Sequence, residues 1–107
     1  MTGWRMTLDE FCYVTRASQK ELTEWAQAGL FGPAWQVSTE GKWRHITKEV
    51  ARSGILMRAY LDAGLAKERA VEATLSTAHL LEAKPTRIAY RGDGFAVVLK
   101  LESIQFP

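Results

Sequence analysis

Two Ser/Thr-x-x-Glu capping boxes stand eleven residues apart near the start of the chain, TLDE at 7–10 and SQKE at 18–21. In such a box the hydroxyl and the carboxylate each accept a hydrogen bond from a free backbone N–H at a helix start. The first box predicts a helix from Leu8 to about Val14, and the second predicts a helix that stops at Gly29. Because only a tight Thr-Arg-Ala turn separates them, the sequence predicts a helix-turn-helix.

A short β-hairpin is predicted after this pair of helices. AWQV at 34–37 and KWRHI at 42–46 are rich in strand formers, and the STEG between them has the composition of a turn. Residues 35–46 are called the wing below. The wing carries the cations Lys42 and Arg44 on either side of the Trp43 ring, a combination that suits contact with a phosphate backbone.

Two further helices are predicted from apolar side chains at helical spacing. Thr47 is placed to cap the third helix, which runs to about Asp62, and the fourth spans about Ala66 to Ala83. The fold class expected for residues 1–84 is therefore mainly α, with four helices and the wing.

The last part of the chain, residues 85–107, changes from helical spacing to strand-like alternation. Pro85 stops the fourth helix, and a Gly-Asp-Gly turn at 92–94 joins two strands. Their shared apolar face consists of Ile88, Tyr90, Phe95, Val97 and Leu99. A two-stranded hairpin is marginal alone, so this face is expected to pack on the helices or on a partner subunit. In the second case these five residues are the candidate oligomer interface.

Composition narrows the class of protein. The 107 residues suffice for a single compact core, and the single cysteine cannot form an internal disulfide. Fourteen Lys and Arg against twelve Asp and Glu give a net charge of +2, which permits nucleic-acid binding without requiring it. The N-terminus lacks the apolar segment of a secretory signal, and no apolar run approaches the length of a membrane span. We therefore expect a cytoplasmic protein.

The order of these elements resembles the winged-helix DNA-binding domain of the MerR family. The resemblance covers residues 6–76 and rests on short motifs in a shared order. These motifs are LDEF at 8–11, Ser18, Leu22, Trp25, Gly29-Leu30, Pro33, GKWRHIT at 41–47 and Gly64-Leu65. In that family the second helix enters the major groove and the wing contacts the flanking backbone. The resemblance thus implies a MerR-like winged helix-turn-helix.

Carried over by position, the same resemblance implies that helix 18–28 contacts DNA bases and that the wing contacts the backbone. The candidate DNA-contacting residues are Arg16, Gln19, Lys20, Thr23, Lys42, Trp43 and Arg44. The implied function is a transcriptional regulator or an excisionase-like factor. Because the modest net charge predicts weak binding by one copy, a homodimer that contacts two half-sites is expected.

A second resemblance leads to a different partner. DEFC at 9–12, ELTE at 21–24 and GLFGP at 29–33 are similar to the opening of the small chaperone-modulator proteins, a MerR-like group that binds the J-domain of a co-chaperone. The alternative function is therefore a protein-binding module, in which Glu21 and Glu24 meet a basic partner surface. A third alternative makes the C-terminal hairpin the functional part, as an obligate oligomer interface supported by the helices.

The sequence lacks the short motifs by which several enzyme classes are recognised. It has no phosphate-binding glycine loop, no nucleophile elbow and no carboxylates clustered on one helix. His45 and His79 are far apart and lack the clustered cysteines and histidines of a zinc site. We therefore expect no enzymatic activity, no metal and no cofactor, and we expect Trp25 to be a core anchor.

Overall fold

The computed structural model describes Trp4, residues 6–33, Trp35 and residues 45–107. The α-helices of this part of the chain are α1 (Leu8–Thr15), α2 (Gln19–Gln27), α3 (Lys48–Asp62) and α4 (Lys67–Thr77), and a 3-10 helix follows at Ala78–Ala83. The strands are β1 (Met6–Thr7), β2 (His45–Ile46), β3 (Arg87–Gly92) and β4 (Phe95–Lys100). The architecture agrees with the predicted mainly α fold that carries a small C-terminal hairpin.

Both predicted capping boxes are present. The Thr7 hydroxyl accepts a hydrogen bond from the Glu10 N–H at 3.1 Å, and the Glu10 carboxylate accepts one from the Thr7 N–H at 3.2 Å. Ser18 and Glu21 form the same reciprocal pair, at 3.1 and 3.3 Å. Because each cap satisfies N–H groups that a bare helix end leaves free, it stabilises its helix by about 1 kcal/mol. The predicted starts of α1 and α2 are confirmed.

A two-residue sheet ties the beginning of the chain to the beginning of α3. β1 pairs antiparallel with β2, with Met6 opposite Ile46 and Thr7 opposite His45. Ile46 is buried in the core. The last two residues of the predicted wing therefore pair with the segment that precedes α1. The rest of the predicted wing after Trp35, residues 36–44, lies outside the described residues.

α3 is the central helix, in contact with α1, α4 and the 3-10 helix. As predicted, the Thr47 hydroxyl caps it by accepting a hydrogen bond from the Val50 N–H at 3.3 Å. Gly54, in the middle of α3, lets α1 approach closely, because an added Cβ would lie 2.5 Å from Cε1 of Phe11. The contact between α1 and α3 therefore depends on the absence of a side chain at position 54.

The fourth helix is shorter than predicted, since α4 ends at Thr77 and the chain continues to Ala83 as a 3-10 helix. Thr77 leaves the α conformation with a φ of −120°. Its hydroxyl donates to the Ala73 carbonyl at 2.7 Å and lies 2.7 Å from the Tyr60 hydroxyl. Thr74 makes the same bond to the Ala70 carbonyl without ending the α-helix, whereas Thr77 also bonds Tyr60 of α3. The prediction of one continuous helix is therefore wrong at this point.

The C-terminal hairpin packs on the chain's own helices. Ile88 lies opposite Leu99 across β3 and β4, both side chains are buried, and β3 contacts α4. Tyr90, Phe95 and Val97 are half-buried on the same face. The first of the two arrangements that the sequence left open is therefore the one observed. Ile88 and Leu99, two of the five residues of the predicted oligomer interface, are thus covered by residues of the same chain, and the interface itself stays a prediction.

Candidate nucleic-acid interface

α2 has one buried face and one exposed face. Leu22 and Trp25 are buried, and the 2% exposure of Trp25 confirms that it is a core anchor. Gln19, Lys20 and Thr23 are exposed. The Thr23 hydroxyl donates to the Gln19 carbonyl at 2.9 Å and keeps its oxygen as an acceptor. The three α2 residues that were predicted to contact DNA are therefore all exposed on the same helix.

Three residues, Arg16, Ala17 and Ser18, connect α1 to α2. Arg16 ends α1 in the left-handed conformation, with φ 51° and ψ 41°. The Arg16 and Ala17 N–H groups donate to carbonyls in the last turn of α1 at 3.3 and 3.1 Å, and the Ala17 side chain is buried. The turn is therefore short and its backbone is well bonded, as a helix-turn-helix requires.

Arg58 of α3 donates hydrogen bonds to the end of α1 and to this turn. Its Nε donates to the Thr15 carbonyl at 2.5 Å, and its Nη2 donates to the Arg16 carbonyl at 3.0 Å. Carbonyls at a helix C-terminus lack partners within the helix, so a cation is well suited to them. Because only 19% of the Arg58 side chain is exposed, water competes little for these charge-assisted bonds. Arg58 therefore fixes the place where α1 ends.

The Arg58 guanidinium also contacts α2. Its Nη2 lies 3.8 Å from a carboxylate oxygen of Glu21, and its central carbon lies 5.6 Å from the centroid of the Trp25 ring. The other Glu21 oxygen accepts the capping hydrogen bond from Ser18. Glu21 therefore has two partners within the chain, and its negative charge is offset by an internal cation. We call these contacts with the turn and with α2 the Arg58 clamp.

Arg58 is not among the functional residues that were predicted from the sequence. A weak signal for it exists, because Arg58 follows Gly54 and Ile55 at helical spacing. This spacing places a cation on the apolar stripe of α3. A cation in such a position needs acceptors inside the protein, although spacing cannot identify them.

The other charged residues around α2 differ in their partners. Arg16 forms an ion pair with Asp62 at the end of α3, so it has a partner other than the DNA contact predicted for it. This pair contributes little to stability, since both side chains are well exposed. Lys20 and Glu24 are exposed, and neither has an ion pair among the described residues. The wing candidates Lys42, Trp43 and Arg44 lie outside the described residues.

Three titratable groups have raised pKa values, and two of them, Cys12 and Tyr90, are only partly buried. Burial, and to a smaller extent the nearby charge of Asp9, raises the pKa of the Cys12 thiol. A hydrogen bond to Glu72 raises the pKa of the Tyr90 hydroxyl. Both groups therefore stay protonated at neutral pH, and neither is suited to act as a base there. Among the described residues no group of three His, Cys, Asp or Glu side chains is arranged to hold a metal ion.

Within the part of the chain that the structure describes, no helix is both long enough and apolar enough to cross a membrane. Comparison with protein-family models, with curated proteins and with solved structures finds no match to this chain.

Proposed function

We propose that the chain is a small DNA-binding protein with a MerR-like winged helix-turn-helix, in which α2 enters the major groove and the wing contacts the backbone. The arrangement of α2 is the observation that carries this proposal. Its inner face is buried and held by the Arg58 clamp, while its outer face presents Gln19, Lys20 and Thr23 to solvent. A transcriptional regulator or an excisionase-like factor would use such a helix.

The three exposed side chains have suitable chemistry for a DNA groove. A glutamine amide can form two hydrogen bonds with adenine, a lysine can bind guanine or phosphate, and a threonine methyl can pack on the thymine methyl. Lys42 and Arg44 of the wing, which are assigned from the sequence, would add phosphate contacts. Such contacts set the orientation of the protein on the duplex.

Pre-organisation supports the same proposal. Because Arg58 bonds the end of α1 and contacts α2, the recognition helix is already positioned before DNA binds. Binding therefore avoids most of the entropic cost of ordering a loose helix. With a net charge of only +2, a single copy is expected to bind weakly. A homodimer would contact two half-sites about 34–36 Å apart and gain affinity from both.

Replacement of Lys20 by glutamine is expected to weaken binding to random-sequence duplex DNA. A lysine that neutralises a phosphate releases a counterion, so its loss should lower the slope of log affinity against log salt by about one. Glutamine keeps much of the side-chain length and removes the charge. Fluorescence anisotropy titrations of a labelled duplex at several salt concentrations measure this slope.

The matched control is Lys67→Gln, which removes the same charge from an exposed position on α4. This control should keep the wild-type slope. The proposal fails if the wild-type protein binds no duplex at low salt. The assignment of α2 to the groove fails if Lys20→Gln and Lys67→Gln have equal slopes.

A second candidate function is a protein-binding module, and the exposure of Glu24 favours it. Glu24 has no ion pair among the described residues, whereas Glu21 is held by Ser18 and Arg58. An unpaired carboxylate on the exposed side of α2 would be repelled by phosphate and attracted by a basic protein surface. The resemblance to chaperone modulators makes the J-domain of a co-chaperone the specific partner to test.

Reversal of the charge at Glu24 separates the two functions, because it should change their affinities in opposite directions. Glu24→Lys is expected to tighten duplex binding and to steepen its salt dependence if α2 contacts DNA. The same variant is expected to abolish capture of a J-domain if α2 contacts a basic protein surface. Parallel titrations with a labelled duplex and with a purified J-domain measure both effects. Unchanged duplex affinity would count against the first function, and unchanged J-domain capture against the second.

A further inference from the structure

The side of the C-terminal hairpin that faces away from the core is basic. Its exposed residues are Arg87, Ala89, Arg91, Ala96, Val98 and Lys100, which we call the outer hairpin face. The strand register places Arg87 directly opposite Lys100. Arg91, further along β3, lies opposite the small side chain of Ala96. Three cations therefore share one exposed surface.

The pairing of Arg87 with Lys100 is unfavourable for an isolated hairpin, because like charges directly opposite each other on two strands repel. None of the three cations of this face has an ion pair among the described residues. Arg69 on α4 differs from them, because its guanidinium lies 4.5 Å from the Phe95 ring centroid on the other side of the hairpin. The cations of the outer face are therefore free to meet an external anion.

We infer that the outer hairpin face is a second binding surface for the sugar-phosphate backbone of DNA. The inference rests on the proposed DNA-binding function and adds a contact surface beyond α2 and the wing. A polyanion bound here would remove the repulsion between Arg87 and Lys100. The charge pattern therefore favours the bound state over the free one.

The spacing of the cations suits an extended ligand. Arg87 and Arg91 are four residues apart on one strand, which separates them by about 13 Å. Lys100 lies across from Arg87, at a Cβ separation of about 5 Å. Ala89 and, opposite it, Val98 lie between these positions, and Ala96 faces Arg91. All three side chains are short and uncharged, so a phosphate backbone can approach the strands. Such a backbone could contact both ends of the face at once.

The carboxylates nearest in sequence lie at the two ends of this surface. Asp93 is in the turn beyond Arg91, and Glu102 follows the end of β4. Both would repel phosphate. The contact therefore runs along the strands, between the turn and the residues that follow β4.

The composition of the face favours a nucleic acid over an anionic membrane. A peripheral membrane surface inserts large apolar or aromatic side chains beside its cations. The outer hairpin face offers only Val98, since Tyr90 and Phe95 lie on the opposite side of the hairpin. Its three cations also fall short of the clusters of about 4–8 Lys and Arg that recruit proteins to acidic lipids.

The test uses the full chain and three single variants, Arg87→Gln, Arg91→Gln and Lys100→Gln. Each is expected to lower the slope of log duplex affinity against log salt by about one. The Lys67→Gln control removes the same charge from α4 and should leave the slope unchanged. Anisotropy titrations with a labelled random-sequence duplex measure all of these slopes.

A stability measurement separates this effect from unfolding. Relief of the like-charge pair should raise the melting temperature of Arg87→Gln and Lys100→Gln by about 2–4 °C while their duplex affinity falls. Arg91→Gln, which has no cation opposite it, should keep the wild-type melting temperature. A variant that binds less because it is misfolded would melt at a lower temperature instead.

The outcomes for the hairpin and for α2 are distinguishable. If the hairpin variants match Lys67→Gln while Lys20→Gln binds more weakly, the inference is overturned and the proposed function stands. If the hairpin variants bind more weakly and Lys20→Gln does not, the inference stands and α2 is not the helix in the groove. A wild-type protein that binds phosphatidylserine vesicles but no duplex at low salt overturns both.

Discussion

Replacement of Arg58 by alanine is expected to lower the free energy of unfolding by about 2–4 kcal/mol, the largest effect of any change proposed for this chain. The variant loses the hydrogen bonds at 2.5 and 3.0 Å to the Thr15 and Arg16 carbonyls and leaves both acceptors without their cation. It also loses the contacts of the guanidinium with Glu21 and Trp25. Urea denaturation monitored by tryptophan fluorescence measures the change.

Two further variants show whether the geometry of the guanidinium matters. Arg58→Lys keeps the positive charge but cannot donate to both carbonyls in the same fork-like way, so it should recover only part of the lost stability. Lys67→Ala truncates an exposed cation on α4 and should change stability by less than about 0.5 kcal/mol. If Arg58→Ala lowers the free energy of unfolding no more than Lys67→Ala does, the Arg58 clamp contributes little to stability.

The second large effect is expected at Gly54. An alanine Cβ at this position would lie 2.5 Å from Cε1 of Phe11 and 3.2 Å from Cγ2 of Thr15. Phe11 is fully buried, so its ring cannot swing into solvent. Overpacking costs about 1–3 kcal/mol, and the better helix propensity of alanine returns about 1 kcal/mol. Urea denaturation should therefore show Gly54→Ala to be less stable than the wild type by up to about 2 kcal/mol.

A double-mutant cycle tests the cause of this loss. Phe11→Leu alone should destabilise the protein by leaving a space in the core. Combined with Gly54→Ala it should cost less than the sum of the two single changes, because the methyl group enters that space. Ser53→Ala raises the helix propensity of α3 without placing a methyl group against Phe11. It should therefore be neutral or slightly stabilising. Additive effects in the cycle would contradict the proposed clash between Phe11 and position 54.

The parts of the fold that were predicted correctly depend on chemistry between near neighbours in the chain. Each capping box joins residues three positions apart, and Thr47 caps α3 over the same separation. The alternation of β3 and β4 is likewise visible within a dozen residues. Such local patterns show which side chains can accept hydrogen bonds from the free N–H groups of a helix start. They also show which side chains lie on one face of a strand.

The features that were missed depend on contacts between distant residues. The Arg58 hydrogen bonds join positions 42 and 43 residues apart, and β1 meets β2 across a similar distance in the chain. The end of α4 at Thr77 is associated with its bond to Tyr60 on another helix. The spacing of apolar residues cannot predict these contacts, because they form only when the helices pack together.

The two sides of α2 were easier to predict than the partners of its charged residues. Helical spacing correctly placed Leu22 and Trp25 on the buried side of α2. Gln19, Lys20 and Thr23, which were named from the family resemblance, are exposed. The charges around them were less predictable. The sequence shows Glu21 and Glu24 as similar carboxylates, and only the fold distinguishes the one with internal partners from the one without.

The burial of the hairpin determines which piece of the chain can fold by itself. Ile88, Leu99 and Leu101 share one hydrophobic core with the helical residue Tyr60. Loss of buried aliphatic side chains costs about 1.5–3 kcal/mol each, against a total stability of about 5–15 kcal/mol for a typical domain. A chain shortened to residues 1–84 would therefore lose much of its stability. We therefore expect the helices and the terminal hairpin, which share this core, to unfold in a single transition.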